Sequence, residues 1–589
     1  MPQLWCGVHG IALILAAASC RVGVSAPSSE APAPLAGRFE RVEGALGREA
    51  RALAVGHCDD DGALDVLLIG GDDTRVAPRA LGIEPQMFLG RGDGTFAAGQ
   101  TFAVRPRSYR AGLFVDLDGD GDDDVVLVGD DVGLLRNRGG CAFDPLERLA
   151  SLDALQARGV SGVLATDANL DGVTDLALSL TGPTPRPYAL LMGAGDGRFA
   201  ARALDATPLD VTANGLVPFV AFFDDADGDG ARDLFAAIDR QGGWFAWGDA
   251  AAGRLVRDDA VSARFSRADP MGVAPLDYDG DGTIDYFIAG VRGASLLLRG
   301  GTRALPDAAR QAEVEGFDDL AAWGTWAFDA DLDGTTDLLV LRFAESGAPT
   351  APGTADLYLA RGDGTFSEVG AARVDLHVYA RAMACGDLSS AGDRACLVMA
   401  SEGPVLLRDR ITPRGRWAGI RLRGTVSAPD ATGARVTLLG GPNRRAHYYG
   451  GQGPYAASHD PSLALGIGAR DAVDVEVLWP SGIRQRVTAL AAGRYTTVVE
   501  PAAVTLSARV APADGVGLVE VVVDPASVGA SRASVSITGA GTLVEAPPGP
   551  DGRLRWAVRA PATPGVAAIT VTLDGTPLRL VPRVRFTGA

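Results

Sequence analysis

The chain has 589 residues, too many for one ordinary domain, so several domains are expected. Its 77 glycines and 35 prolines, with only 6% aromatic residues, favour many short strands joined by tight turns. The formal net charge of −19 argues against a nucleic-acid partner, because such partners need a basic surface.

Residues 1–20 are predicted to be an export signal. An apolar run from Ile11 to Ser19 is too short to span a bilayer and ends at Cys20. The segment Ala17–Cys20 resembles a bacterial lipobox, which would make Cys20 a lipid anchor; cleavage after Ala26 is the alternative. Either signal predicts an exported protein that is extracellular, periplasmic or anchored to the outer membrane. Residues 21–36, rich in Ser, Ala and Pro, predict a disordered linker.

An acidic loop recurs seven times after this linker, at intervals of 51 to 59 residues. Its first positions are His57, Asp116, Asp167, Asp225, Asp277, Asp329 and Asp387. In each repeat one apolar strand enters the loop, a second leaves it, and a hairpin such as Phe88–Phe96 follows. Four short strands per repeat at this period predict an all-β fold, a β-propeller. The strand Gly37–Val42 would complete the last repeat and leave no open edge, so we predict seven blades over residues 37–412, with six as the alternative.

Five of the loops carry a complete set of calcium ligands. Acidic or amide side chains stand at positions 1, 3, 5 and 9, a Gly at position 6 permits the bend, and position 7 offers its backbone carbonyl. The first nine positions of an EF-hand loop follow this pattern, but here strands flank the loop instead of helices. The predicted ligands are Asp116, Asp118, Asp120, Asp122 and Asp124; Asp167, Asn169, Asp171, Val173 and Asp175; Asp225, Asp227, Asp229, Ala231 and Asp233; Asp277, Asp279, Asp281, Thr283 and Asp285; and Asp329, Asp331, Asp333, Thr335 and Asp337.

We therefore predict about five bound Ca²⁺ ions with a structural task. Magnesium is disfavoured because it needs a near-ideal octahedron and keeps its waters. The alternative, polar turns without an ion, is disfavoured because a nine-position pattern repeats five times at fixed spacing.

The first and seventh loops break the pattern. The first has His57, Asp59, Asp61 and Asp65, so its calcium site is predicted to be weak or empty, with a transition metal at His57 and Cys58 as an alternative. The seventh has Ser389 and Ala391 after Asp387 and is not expected to hold calcium. Cys385 and Cys396 bracket it on adjacent strands and predict a disulfide.

These repeats resemble the FG-GAP and VCBS blades of integrin-α-like propellers. Residues 413–500 resemble the ASPIC/UnbV domain that follows such propellers in bacterial relatives of cartilage acidic protein. The matching pieces are Gly433–Val436, Gly451–Gly453 with Tyr455, Leu465–Gly468 and Val477–Gly482. Ala457–His459 stands where a Ser-Gln pair is expected, which puts a site there in doubt.

Residues 501–589 lie outside that resemblance. Short strands recur between Gly, Pro and Asp turns, and their number and spacing predict an immunoglobulin-like β-sandwich. The segment has no Cys, so the sandwich would lack an inter-sheet disulfide.

The predicted function is a non-enzymatic binding or adhesion module for a protein or carbohydrate at the cell envelope. The integrin resemblance implies that loops on the face opposite the metal loops bind the partner, and the candidates are Gly70–Pro85 and Thr302–Trp323. The alternative is an enzyme or accessory protein acting on glycans or in secondary-metabolite biosynthesis, although no catalytic constellation is found.

Two further motifs are interpreted as structural. The Arg-Gly-Asp triplets Arg91–Asp93 and Arg361–Asp363 fall inside hairpin turns and are not expected to mediate adhesion. His447, Tyr448 and Tyr449 with His459 could line a pocket, and we interpret them as surface packing.

Overall fold

The computed structural model describes residues 39–43, 46, 50, 52–59, 61–70, 84–103, 109–150, 155, 157–182, 187–195, 197–203, 218–238, 242–249, 254–291, 295–314, 320–344, 353–369, 374–376, 380–400, 403–411, 413, 415–440, 445–451, 456–549 and 551–588. The predicted signal, the linker and the lipid anchor at Cys20 lie outside these residues. So do residues 71–83 of the candidate binding loop Gly70–Pro85, residues 315–319 of the loop Thr302–Trp323, and residues 452, 453 and 455 of the motif set.

The described residues between 39 and 409 form seven antiparallel sheets, which we call blades 1 to 7 in chain order. The second strand of each blade is mostly apolar and almost wholly buried, as in Asp124–Gly129, because neighbouring blades cover both of its faces. The strands are β1 (Phe39–Glu43); β2 (Ala52–Gly56), β3 (Asp65–Ile69), β4 (Gln86–Gly90) and β5 (Phe96–Thr101) in blade 1; β6 (Tyr109–Val115), β7 (Asp124–Gly129), β8 (Val132–Leu135) and β9 (Glu147–Ala150) in blade 2; β10 (Gly159–Thr166), β11 (Asp175–Thr181), β12 (Tyr188–Gly193) and β13 (Phe199–Ala203) in blade 3; β14 (Pro218–Asp224), β15 (Asp233–Ile238), β16 (Trp244–Asp249) and β17 (Arg254–Asp258) in blade 4; β18 (Pro270–Leu276), β19 (Asp285–Gly290) and β20 (Leu296–Leu298) in blade 5; β21 (Leu320–Phe328), β22 (Asp337–Ala344), β23 (Thr354–Ala360), β24 (Phe366–Glu368) and β25 (Val374–Asp375) in blade 6; and β26 (Ala380–Asp387), β27 (Arg394–Ala400) and β28 (Gly403–Asp409) in blade 7.

The blades close into a ring. The first strand of each blade contacts the first strand of the next, and β26 of blade 7 contacts β2 of blade 1. Strand β1 pairs antiparallel with β28, Phe39 opposite Asp409, and becomes the outer strand of blade 7. Helix α1 (Asp259–Ala268) joins blades 4 and 5; the Asp258 carboxylate caps it and Phe265 packs it into the core. The all-β propeller predicted from the repeats is confirmed, and β1 is the closing strand that the sequence indicated.

The C-terminal region, residues 415–588, consists of two further β domains. The first contains β29 (Arg416–Arg423), β30 (Ala434–Leu438), β31 (Ala446–Tyr449), β32 (Ala457–Ser458), β33 (Leu463–Gly468), β34 (Ala472–Leu478), β35 (Arg484–Ala491) and β36 (Tyr495–Val499). The second contains β37 (Val504–Leu506), β38 (Val510–Pro512), β39 (Leu518–Val523), β40 (Ala533–Gly539), β41 (Thr542–Ala546), β42 (Leu554–Arg559), β43 (Gly565–Leu573), β44 (Thr576–Pro577) and β45 (Arg583–Thr587).

The second of these domains is a sandwich of two sheets around one apolar core. The sheets have the strand orders β37-β39-β42-β41 and β38-β45-β43-β40, and Val521 of one and Ile569 of the other share the core. The segment is therefore a two-sheet β-sandwich, and its assignment to the immunoglobulin-like class stays a prediction.

The first C-terminal domain is joined to the propeller by backbone pairing. Its short strand β32 pairs in parallel with β2, the innermost strand of blade 1, with Leu53 opposite Ala457. No helix in the described residues is long and apolar enough to cross a membrane.

Candidate metal centres

Each complete loop is a tight turn closed on the carboxylate at position 1. In blade 2 the two oxygens of Asp116 accept hydrogen bonds from the backbone N–H groups of Gly119, at 2.7 Å, and Gly121, at 3.0 Å. Gly121 has a φ of 101°, which only glycine adopts without strain. The bend turns Asp118 and Asp120 toward Asp116, so that one oxygen of each lies within 4.8 Å of the others.

The same convergence of positions 1, 3 and 5 occurs in blades 4 and 6, and in blade 5 positions 1, 3 and 9 converge. The groups whose ligand atoms lie within 4.8 Å of one another are Asp116, Asp118 and Asp120; Asp225, Asp227 and Asp229; Asp277, Asp279 and Asp285; and Asp329, Asp331 and Asp333. In blade 3 the equivalent positions hold Asp167, Asn169 and Asp171, and Asp167 accepts from the backbone of Asp171 and Gly172 as Asp116 does in its loop.

Position 7 is fixed through position 5. The N–H of each position-7 residue donates to the position-5 carboxylate, at 2.8 to 3.1 Å. The donors are Asp122, Val173, Ala231, Thr283 and Thr335. Only the backbone of position 7 is used in this bond, so the side chain there can vary.

The carboxylate at position 9 ties the loop to the third strand of its blade, a role that the sequence pattern did not reveal. In blade 5 Asp285 Oδ2 accepts from Tyr278 N at position 2, and Oδ1 accepts from Gly300 N beyond the third strand. Asp124, Asp175, Asp233 and Asp337 are bound in the same way. Asp65 repeats it in blade 1, where the loop begins with His57.

The loops concentrate buried negative charge. Burial, reinforced by neighbouring carboxylates, raises the pKa of Asp233 and of Asp285 to about 8 and that of Asp124 to about 7. A bound cation would favour the charged carboxylates and so offset the free-energy cost of burying their charge.

The donor set fits calcium. The ligands are hard oxygen atoms of carboxylate, amide and backbone carbonyl groups, the donors that Ca²⁺ prefers. Two ligand oxygens, Asp225 Oδ1 and Asn169 Oδ1, are buried without any hydrogen-bond partner. Buried polar atoms are rarely left in that state, and a cation in the loop would satisfy them.

Arginines contact the outer carboxylates of three loops. Arg136 lies 3.1 Å from Asp118, Arg299 lies 2.7 Å from Asp279, and Arg303 lies 2.7 Å from Asp227. The contact of Arg303 places the described part of the candidate binding loop Thr302–Trp323 on the metal-loop side. The prediction that this loop lies on the opposite face is therefore wrong for residues 302–314, because the chain after β20 turns back along the loop of blade 4.

Disulfides stand at the two incomplete loops. The predicted bond between Cys385 and Cys396 across the seventh loop is confirmed. A second, unpredicted bond joins Cys58 of the first loop to Cys141 of blade 2. Cys58 is therefore not a free thiolate, which excludes the transition-metal site at His57 and Cys58. With four cysteines in the folded part, the first pair left only the second, so cysteine counting could have found it.

The C-terminal region covers this face of the propeller and contacts the loops of all seven blades. His57 of blade 1 lies 3.5 Å from Asp460, and Arg423 donates to Gly119 O of blade 2. The remaining contacts are Arg509 with Asp171 O, Arg579 with Asp225, Ala446 N with Asp277, Gly466 N with Asp329, and Tyr495 with Asp387.

Two family models match the chain. The model "ASPIC and UnbV" matches residues 424–505, and the model "FG-GAP-like repeat" matches residues 58–127. The β-propeller thus contains an FG-GAP-like repeat, and an ASPIC/UnbV domain follows it in the C-terminal region. No curated protein matches it significantly.

Several solved structures resemble the chain at low identity. A fungal alcohol oxidase of the AA5 family in complex with copper is 11% identical at a TM-score of 0.40, covering 94% of this chain and 99% of the oxidase. The Dos1 propeller is 9% identical at a TM-score of 0.36, covering 64% of this chain and 95% of the Dos1 chain. YCF48 from Cyanidioschyzon merolae is 12% identical at a TM-score of 0.38, covering 63% of this chain and 98% of the YCF48 chain. Likenesses this distant say nothing about the activity of the chain.

Residues 446–449 and 457–460 of the ASPIC/UnbV domain are buried against the first strands of the blades. His447 and His459 are almost fully buried, so the interpretation of these residues as surface packing is wrong. Burial lowers the pKa of both to about 4, which keeps the imidazoles neutral. His459 Nδ1 accepts from Cys385 N at 2.9 Å, and its Nε2 lies 3.1 Å from Thr325 O.

A cavity of about 40 Å³ lies between these residues of the ASPIC/UnbV domain and blades 5 to 7. Its lining includes His447, Tyr448, Arg394 and Trp326, and the Nε2 of His447 and the hydroxyl of Tyr448 are buried without partners. The volume holds about three water molecules, which would satisfy such groups.

The Arg-Gly-Asp triplets are hairpin turns, as interpreted. The Asp93 carboxylate accepts from the backbone and hydroxyl of Thr95, and Arg91 donates to Phe96 O. Asp363 and Thr365 repeat this pattern in blade 6.

Proposed function

We propose that the chain is an exported, calcium-stabilised binding module without enzymatic activity. The observation that carries the calcium proposal is the buried, partnerless Oδ1 of Asp225 in a loop where three carboxylates converge within 4.8 Å. Four other loops have the same ligand order, which supports about five ions per chain. The predicted signal and two disulfides support an oxidising, extracytoplasmic location.

The partner surface is proposed to be the face opposite the metal loops. The C-terminal region already contacts the loops of all seven blades, so the metal-loop face is taken up within the chain. The proposed binding elements are the connections between the second and third strands of the blades, such as residues 130–131 between β7 and β8. We propose a protein or carbohydrate of the cell envelope as its partner.

Calcium content and thermal stability test the metal part. Elemental analysis of the purified chain should find about five calcium ions, and EGTA should lower the melting temperature. With free calcium at 100 times the dissociation constant, one site adds about 2.7 kcal/mol. Absence of bound calcium together with an unchanged melting temperature would refute the proposal.

A glycan array and a panel of purified envelope proteins test the binding part. Cross-linking mass spectrometry of a hit should join the ligand to the connections on the opposite face. Cross-links confined to the C-terminal region would contradict the proposed surface, and turnover of a hit would contradict the non-enzymatic assignment.

A further inference from the structure

The first carboxylate of the blade 4 loop has two different environments. Asp225 is only 6% exposed, and its Oδ1 has no hydrogen-bond partner. Its Oδ2 accepts from Gly230 N in the loop and from Arg579 Nη1 of the C-terminal sandwich, at 3.1 and 2.9 Å. One oxygen is thus left for a cation while the other holds the docked C-terminal region.

Blades 5 and 6 repeat the contact with the C-terminal region through backbone donors, while Oδ1 of Asp277 accepts from Gly280 N and Oδ1 of Asp329 accepts from Asp333 N. Asp277 Oδ2 accepts from Gly282 N in its loop and from Ala446 N of the ASPIC/UnbV domain. Asp329 Oδ2 accepts from Gly334 N and from Gly466 N of the same domain. In each loop the carboxylate that begins the metal-ligand set also accepts a hydrogen bond from a residue more than 130 positions away.

Blade 7 has the same contact at a loop that lacks a calcium ligand set. Tyr495 donates to Asp387 Oδ2 at 3.1 Å, although Ser389 and Ala391 leave that loop without a ligand set. We expect docking there not to respond to calcium, so this contact can serve as an internal reference.

We propose that calcium binding in blades 4 to 6 and docking of the C-terminal region are coupled through the shared carboxylates Asp225, Asp277 and Asp329. The inference rests on the calcium binding proposed above. An ion holds its carboxylate charged and in one orientation, so the outer oxygen becomes a fixed acceptor for the docked donor. The docked donor in turn fixes the carboxylate before the ion arrives. By linkage, calcium strengthens docking by the same free energy as docking strengthens calcium binding.

The coupling predicts a local effect of each ion on one docking contact. Hydrogen exchange of the Ala446 amide reports on the blade 5 loop, and exchange of the Gly466 amide reports on the blade 6 loop. Calcium should slow exchange in peptides that contain these amides by about 5- to 150-fold, the range of ordinary coupling between sites.

Substitutions at position 5 weaken one site at a time. Asp281 is bound by Thr283 N and Arg299, and neither belongs to the C-terminal region. Asp281→Asn should remove one ion and accelerate exchange at Ala446 in saturating calcium while Gly466 stays protected. Asp333→Asn should do the reverse. Asp474→Asn, in the ASPIC/UnbV domain and bound to Arg486 and Ala489, is the matched control and should change neither amide.

The outcomes separate the two proposals. If Asp281→Asn loses one ion by elemental analysis and exchange at Ala446 does not change, the coupling is refuted while calcium binding stands. If the wild-type chain binds no calcium, both proposals fail. Since Asp333→Asn tests the same coupling in another blade, misfolding of one variant leaves the other decisive.

Discussion

Replacing His57 by glutamine is expected to weaken the docking of the ASPIC/UnbV domain on blade 1. His57 Nε2 lies 3.5 Å from Asp460 Oδ2, and the Asp460 side chain is 3% exposed. Burial alone would lower the pKa of His57, but the hydrogen bond and charge of Asp460 outweigh it and raise the pKa. Burial would raise the pKa of Asp460, yet its contacts with His57, Ser462 and Arg421 hold it well below its usual range.

The expected loss of stability in His57→Gln follows from the buried charge of Asp460, which remains without its partner. Removing one partner of a buried ion pair costs about 3–5 kcal/mol. Because Asp460 keeps the hydroxyl of Ser462 and the nearby charge of Arg421, the loss for His57→Gln should be near the lower end, about 3 kcal/mol.

The pH dependence gives the sharper readout. The raised pKa of His57 adds stability that is complete below about pH 6.5 and disappears as the pH rises through the folded-state value. The lowered pKa of Asp460 adds stability above about pH 4 that disappears in stronger acid.

Urea unfolding from pH 5 to 9, followed by tryptophan fluorescence, should therefore show wild-type stability falling above pH 6.5. The contribution of His57 to the slope should be at most about 1.4 kcal/mol per pH unit. Buried loop carboxylates such as Asp233 and Asp285, whose pKa values are raised to about 8, also lose stability over this range, so His57→Gln should show a shallower fall than the wild type. An identical slope in the variant would refute the assignment of the titration to His57, and equal stability at pH 6 would refute the role of the ion pair.

Three further predictions concern cross-links within the chain. The double substitution Cys58→Ser with Cys141→Ser opens a loop of 83 residues and should lower the free energy of unfolding by about 4.5 kcal/mol. The double substitution Cys385→Ser with Cys396→Ser opens a loop of 11 residues and should lower it by about 2.8 kcal/mol. Calorimetry in saturating calcium should rank the two variants in this order. Glu500→Gln should destabilise the ASPIC/UnbV domain by about 3 kcal/mol, because the buried carboxylate accepts from the N–H groups of residues 425 to 427 and from two serine hydroxyls; denaturant unfolding of the variant checks this, and a loss below 1 kcal/mol would contradict it. Arg579→Met should leave the overall fold intact but accelerate proteolysis of the C-terminal sandwich several-fold, while Arg486→Ala, exposed on the ASPIC/UnbV domain, should not.

The propeller could be predicted because its information is local. Each loop places its ligands, its glycine and its flanking strands within about 20 residues, and the hydrogen bonds of Asp116 to Gly119 and Gly121 follow directly from that order. The disulfide between Cys385 and Cys396 was predictable for the same reason, since the two residues face each other on adjacent strands.

The docking of the C-terminal region could not be predicted because no local pattern encodes it. The pairing of Ala457 with Leu53 joins residues about 400 positions apart, and an isolated Arg579 looks like any surface arginine. Position 9 was assigned only as a metal ligand because its partner, such as Gly300 N for Asp285, lies outside the loop, just beyond the third strand of the blade.

The meeting of blades 7 and 1 explains why the two incomplete loops are tolerated. This is where the ring closes, and neither loop there has a full set of calcium ligands. The two loops bond to each other directly, from Leu64 N to Leu388 O. The segment 457–460 of the ASPIC/UnbV domain then bridges them, since Ala457 pairs with blade 1, His459 accepts from Cys385 N of blade 7, and Asp460 reaches His57. The disulfides do not cross this closure, because Cys385–Cys396 lies within blade 7 and Cys58–Cys141 joins blades 1 and 2. The bond from Leu64 to Leu388 and the segment 457–460 hold the closure, while the complete ligand sets occupy the five blades between, where each neighbour is already fixed by chain order.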